Sequence, residues 1–178
     1  MIEKYVVSLD LAKELKEAGY PQAGGGFYWV KYRLEDIDTS PEDEHFADPL
    51  VNPDAPVFKK YSLLYLSAWD YKYRFPANIV DFVKAPLAEE ILEKLPISIF
   101  IKVEFPAIAI ENYAEGRYYY LQIEPYESCY KVGYYWEDKL YAESDWLVSL
   151  KDEKLSDALA RLWLWLKENG YLEERDED

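Results

Sequence analysis

Catalysis by a polarised hydroxyl or thiol needs a base beside its nucleophile, and this chain offers one histidine, His45, and one cysteine, Cys129. The two stand far apart in sequence. Cys129 lies within Ser128-Cys129-Tyr130-Lys131-Val132, a strand-like stretch in which a thiol reads as packing rather than as a nucleophile. One cysteine makes no intramolecular disulfide, and one Cys with one His is too few for a zinc site built from them. Glu42, Glu44, His45 and Asp48 could present oxygens and an imidazole to a divalent cation. Their spacing lacks the central glycine and the twelfth-position Glu of an EF-hand loop, so a solvated acidic loop is the expectation. Nothing marks two of the 35 acidic residues as an acid–base pair. The sequence thus assigns no catalytic residue, no metal ligand and no cofactor, and it ranks binding above catalysis.

Aromatic residues carry a stronger signal: 18 Tyr, 7 Phe and 6 Trp in 178 residues. Tyr and Trp fill cores, and they are also favoured at recognition surfaces because a rigid amphipathic ring loses little entropy on binding. Period-two alternation sorts them. Over 117–123, Tyr119, Leu121 and Ile123 form a core-like set, and Tyr118, Tyr120 and Gln122 point the other way. Over 129–136, Tyr130, Val132, Tyr134 and Trp136 form the bulkier face, with Lys131 and Tyr135 opposite. Lys139 and Tyr141 from a further short strand complete a second face. Tyr118, Tyr120, Tyr135 and Tyr141 are therefore the candidate partner-binding residues. The alternative is a small, nucleotide-like ligand held in an aromatic-lined pocket, with Trp29, Tyr65 and Trp69 as candidate lining. A metal-assisted hydrolase around His45 is a third reading.

The elements that must position these residues follow from local signals. Apolar spacing predicts a helix over 9–18, with Ser8 at its N-cap and Gly19 just past its end. Gly24-Gly25-Gly26 reads as a turn into a strand over 27–33, since a phosphate-cradling loop would open a helix and carry Gly-Lys-Ser/Thr. Residues 34–60, with four prolines and three acidic clusters, read as a long surface excursion, a candidate lid that exchanges amide hydrogens faster than the sheet. A strand follows over 61–66, and 69–83 is ambiguous between irregular structure and a short helix after Pro76. Pro86 opens and Pro96 stops a helix striped by Leu87, Ile91, Leu92 and Leu95. Strands over 97–104, 107–112, 117–123 and 129–136, the last turning into 139–142, have connections short enough for an antiparallel meander. The final helix, 152–169, winds at ~100° per residue so that Leu155, Leu159, Leu162 and Leu166 share one stripe. Leu164 lies opposite that stripe, where a second copy could form a homodimer contact. Residues 173–178 are a charged, solvated tail.

The order of elements, without alternating βαβ units or repeats, makes this an α+β chain, an antiparallel meander packed against two or three helices, expected as one domain over 1–178. Its 35 acidic against 20 basic side chains give a net charge of −15, a field that repels nucleic-acid phosphate and anionic lipid and attracts a basic protein. The amino-terminal Met1-Ile2-Glu3-Lys4-Tyr5 lacks a basic region followed by an apolar run, and no eighteen uncharged apolar residues follow one another, so a cytoplasmic protein without membrane spans is expected.

Three segments together resemble a group of small proteins from tailed bacteriophages and prophages. They are Ser8-Leu9-Asp10-Leu11-Ala12-Lys13-Glu14-Leu15 through Gly19 with Phe27-Tyr28-Trp29 behind it, Ala85-Pro86-Leu87-Ala88-Glu89-Glu90 to Leu95-Pro96, and Leu155-Ser156-Asp157-Ala158-Leu159-Ala160 to Trp163-Leu164-Trp165-Leu166-Lys167-Glu168-Asn169-Gly170. The resemblance implies a phage gene expressed in bacterial cytoplasm; it brings no catalytic residue. The expected function is a phage accessory protein that binds a basic host protein, such as a nucleic-acid-handling enzyme, and inhibits it.

Overall fold

The computed structural model describes residues 2–32, 61–68, 72, 79–102, 116–139 and 142–172. Two compact units make up the chain, Met1–Ala88 and Glu89–Asp178. The expected excursion at 34–60, the strand at 107–112 and the tail at 173–178 lie outside the described residues.

In the first unit a 3-10 turn, Ile2–Lys4, precedes helix α1 (Leu9–Glu17). Leu11, Ala12 and Leu15 fall on one face of α1 and are buried. The helix ends as its sequence predicts: Gly19 takes φ +89°, and the Tyr20 N–H donates back to the Leu15 carbonyl at 2.8 Å, a closure that needs a residue tolerant of left-handed backbone. Strands β1 (Gly26–Tyr32), β2 (Ser62–Leu66) and β3 (Ile79–Lys84) form an antiparallel sheet in the order β2-β1-β3. The stretch that local signals left ambiguous supplies β3, because Ile79, Val80, Phe82 and Val83 suit a strand once β1 is there to pair with. Tyr28 and Val30 are fully buried and pack with Leu64, Leu66, Ile79 and Phe82. Helix α1 packs against β3.

The second unit begins within α2 (Ala88–Leu92), which is shorter than the helix predicted to run to Leu95. Lys94 and Leu95 donate to Ile91 and Leu92, three residues back, so the last turn tightens into 3-10 geometry before Pro96. Strands β4 (Ser98–Lys102), β5 (Gly116–Tyr126), β6 (Cys129–Asp138) and β7 (Glu143–Asp152) form an antiparallel meander in chain order. Helix α3 (Leu155–Glu168) packs on β6 and β7. Its stripe is as wound from the sequence: Leu159, Leu162 and Leu166 are fully buried, Leu155 half-buried, and Trp163 is buried beside them. Asp152, which the sequence assigned to the helix, ends β7 instead and accepts hydrogen bonds from the Lys154 N–H and the Arg161 guanidinium. Leu164 is half-buried. Among the described residues no helix is long and apolar enough to cross a membrane. The architecture is α+β.

The strand the sequence did not place is β7. Of the short strand expected at 139–142, Lys139 and Ala142 lie in turns instead, Ala142 at φ +53°, and 140–141 fall outside the described residues. The cause is a bulge: Tyr134 pairs with Val148 and Tyr135 with Trp146, leaving Leu147 as an extra residue. Trp146, Leu147 and Val148 are consecutive and apolar, and this run hides the period-two pattern by which a strand is recognised.

Candidate binding face

Side chains of a pleated sheet alternate between faces, and directly paired residues share one. Tyr120 pairs with Tyr135, and Tyr135 with Trp146; Phe100 pairs with Tyr118. These five rings lie on one face of the β4-β5-β6-β7 sheet. Tyr119, Val132 and Tyr134 lie on the other, buried in the core, and the Tyr134 hydroxyl donates to the Pro96 carbonyl. Burial pushes the Tyr134 phenol well above the ordinary tyrosine range. The sheet thus has a buried face and an open one.

On the open face Phe100, Tyr118 and Tyr120 are 47%, 53% and 56% exposed. The Phe100 and Tyr118 rings stand 4.8 Å apart at 48°, and Tyr135 and Trp146 4.9 Å apart at 47°, both tilted contacts of the kind aromatic pairs prefer. The strip therefore runs across all four strands. Two glycines make room for it. A Cβ on Gly116 would meet the Phe100 ring at 2.2 Å, and one on Gly133 would meet the Val148 carbonyl oxygen at 2.0 Å, at the bulge that sets Trp146 beside Tyr135. Polar groups of the same face lie along the neighbouring rows: Lys131 sits 3.8 Å from the Glu124 carboxylate, and Gln122 is exposed.

Sequence alternation sorted Tyr118, Tyr120 and Tyr135 onto one face, and the structure brings these three together. Tyr141 lies outside the described residues. Phe100 and Trp146 were missed. Phe100 was detectable only through its pairing with Tyr118, and Trp146 sits in the strand that the bulge disguised. Ile123 and Tyr130, assigned to apolar faces, are 37% and 39% exposed, because both lie near the β5–β6 hairpin, away from the centre of the helix-covered surface. Cys129 is half-buried rather than fully buried, and its thiol reaches the Tyr126 carbonyl at 3.1 Å.

The first unit holds the candidates for the small-ligand reading. Trp29 pairs with Leu63 and Phe27 with Tyr65, so Trp29 and Tyr65 share a sheet face. The Trp29 indole N–H donates to the Val7 carbonyl at 2.9 Å, and the Tyr65 ring, 62% exposed, packs edge-on against Phe27 at 5.1 Å. Trp69 lies outside the described residues, as do Glu42, Glu44, His45 and Asp48.

The same unit has an open cleft of about 460 Å³ lined by Lys13, Lys16, Glu17, Tyr61, Asp81 and Val83. Its cations are occupied. Lys13 and Lys31 lie 4.8 and 4.7 Å from the centre of the Tyr61 ring, while Lys16 donates to the Phe82 carbonyl and stands 4.0 Å from Asp81. The Tyr61 hydroxyl donates to the Asp81 carboxylate. We read this cluster as a latch tying α1 to β2 and β3. Partial burial, then the Asp81 hydrogen bond and charge, push Tyr61 up to about 12. A phenol whose folded-state pKa is raised adds stability that is complete below the unfolded value of about 10 and is lost as pH climbs from there towards 12. The unfolding free energy should accordingly fall over that interval, and less steeply in Tyr61→Phe; identical slopes in the two proteins would contradict the latch.

Fold and face together define an α+β chain with two antiparallel sheets, the four-stranded one carrying a helix-covered face and a face of exposed and half-buried aromatic rings. Comparison with known protein families, with characterised proteins and with solved structures returns no match to any of them.

Proposed function

We propose that this chain is a non-enzymatic binding protein, a phage accessory protein acting in the bacterial cytoplasm, and that it docks a basic protein partner on the open face of the β4-β5-β6-β7 sheet. The observation that carries this reading is the strip Phe100, Tyr118, Tyr120, Tyr135 and Trp146, in which large rings are spent on a surface instead of in the core. Exposed aromatic clusters of this kind concentrate binding energy at interfaces. Docking on the face rather than at a sheet edge is supported by the edges: β4 has five residues, and β7 carries the bulge together with Glu143, Asp145 and Asp152, both devices that discourage strand addition.

A net charge of −15 would steer a basic partner into encounter, and an enzyme with a nucleic-acid groove is the partner class whose charge fits best, with inhibition as the outcome. Association and dissociation separate the two contributions. The association rate should fall as salt screens the long-range attraction, whereas Tyr120→Ala should chiefly speed dissociation. Stopped-flow or surface-based kinetics with a basic nucleic-acid-binding enzyme would measure both. A Tyr120→Ala protein that dissociates no faster would refute the face as the docking surface.

A further inference from the structure

Among the side chains the structure describes, the open face carries cations at one end and none at the other, and the inference drawn from this rests on the reading of that face as the docking surface. Two rings of this face hold lysines of this chain: at the β6–β7 side Lys131 Nζ lies 3.7 Å from the centre of the Trp146 ring, and at the β5–β6 hairpin Lys151 Nζ lies 3.7 Å from that of Tyr126. Towards the β4–β5 side Phe100, Tyr118 and Tyr120 are the most exposed rings of the strip, and among the side chains the structure describes, which do not include that of Lys102, no cation lies over them. Arg117, the nearest guanidinium in sequence, is turned to the other face, 4.1 Å from the Trp136 ring.

The face of an aromatic ring attracts a cation through its quadrupole, and a planar guanidinium stacks there better than a strongly hydrated ammonium. We infer that the Phe100–Tyr118–Tyr120 end is a receptor for arginine side chains of a basic protein segment, laid flat against the rings. At the other end of the strip Lys131 takes the equivalent place over Trp146, and at the hairpin Lys151 takes it over Tyr126. Charge complementarity names this occupant: the chain carries −15 overall, and its own lysines show that rings of this face accept cations. The partner's contact is thereby placed at one end of the strip, with Trp146 excluded for as long as Lys131 covers it.

The test titrates the whole protein with three unstructured peptides identical except at alternate positions, which carry arginine, lysine or citrulline, the uncharged isostere of arginine. The arginine peptide should bind tightest, and the citrulline peptide about tenfold or more weaker, as loss of one or two ring-stacked cations requires. Tyr118→Leu/Tyr120→Leu should abolish the preference for arginine over lysine. Tyr120→Phe should keep it, because the ring and not the hydroxyl is the receptor. Both tyrosines are exposed, so the variants should retain the parent's thermal unfolding, which is checked first. Lys131→Met should strengthen arginine-peptide binding several-fold by uncovering Trp146. Citrulline binding as tight as arginine, yet sensitive to the tyrosine replacements, would overturn cation stacking while leaving the face as the docking surface. Arginine and lysine binding that is equal and indifferent to those replacements would overturn both, reducing the interaction to bulk charge. No gain from Lys131→Met would overturn the closing role of that lysine.

Discussion

Replacing Leu162 with alanine should lower the unfolding free energy of the second unit by about 2 to 5 kcal/mol. The side chain is fully buried in α3, between Leu159 and Leu166 on the stripe that packs against β6 and β7, where Val132 and Tyr134 are also fully buried. Truncation removes several methyl and methylene groups from contact and leaves a cavity, and the rigid strands beneath it limit how far the helix can settle into the gap. Chemical denaturation followed by tryptophan fluorescence reports on this region directly, because Trp163 and Trp165 lie on the same helix. The midpoint should shift with little change in the denaturant dependence, the mark of a change in stability rather than in the unfolded ensemble. Leu164→Ala, at a half-buried position on the same helix, supplies the comparison and should cost clearly less. Equal losses at the two positions would mean that the packing of α3 is other than described.

The second large effect is expected at Gly133. A methyl group there would lie 2.0 Å from the Val148 carbonyl oxygen, 2.9 Å from its carbon and 3.1 Å from the Ser149 Cα. All three atoms are backbone, so no side chain can swing aside, and β7 must move to admit the group. Forced overpacking of this kind costs about 1 to 3 kcal/mol, and the upper end is expected because strand pairing is disturbed as well. Displacement of β7 would also part Trp146 from Tyr135, so Gly133→Ala should weaken partner binding together with stability. Ser149→Ala, at the exposed position paired with Gly133, should leave both nearly unchanged. A Gly133→Ala protein with unaltered stability would show that the strands separate more readily than their register implies.

What could be read from the sequence and what could not divide along a physical line. Helices α1 and α3 were legible because their signals are local: leucines recurring at helical spacing and glycines free to take positive φ at Gly19 and Gly170. The common face of Tyr118, Tyr120 and Tyr135 was legible because alternation within β5 and β6 is regular there. Strand β3 needed its partner, since Ile79 to Lys84 becomes a strand by pairing with β1. Strand β7 needed the bulge opposite Tyr134 and Tyr135, a feature of two strands that neither displays alone. The Trp29 hydrogen bond to Val7 and the Tyr65 contact with Phe27 join segments apart in sequence, and spacing along the chain does not encode them.

A bare strip of rings carries a further consequence, of a colloidal kind. Exposed aromatic surface ordinarily draws identical molecules together, and the open face meets that condition in every copy of this chain. Each copy also carries fifteen units of excess negative charge, so two open faces approach one another against mutual repulsion. Attraction between rings acts only at contact, whereas repulsion between like-charged molecules is felt a Debye length away, about 8 Å in physiological salt. On the proposed reading the acidity works as a gate: it turns back a second copy before the rings can meet and lets a cationic surface through. Crowding the protein in strong salt would then remove that gate and favour self-association, and one excess of carboxylates would both hold copies apart and draw a basic partner in.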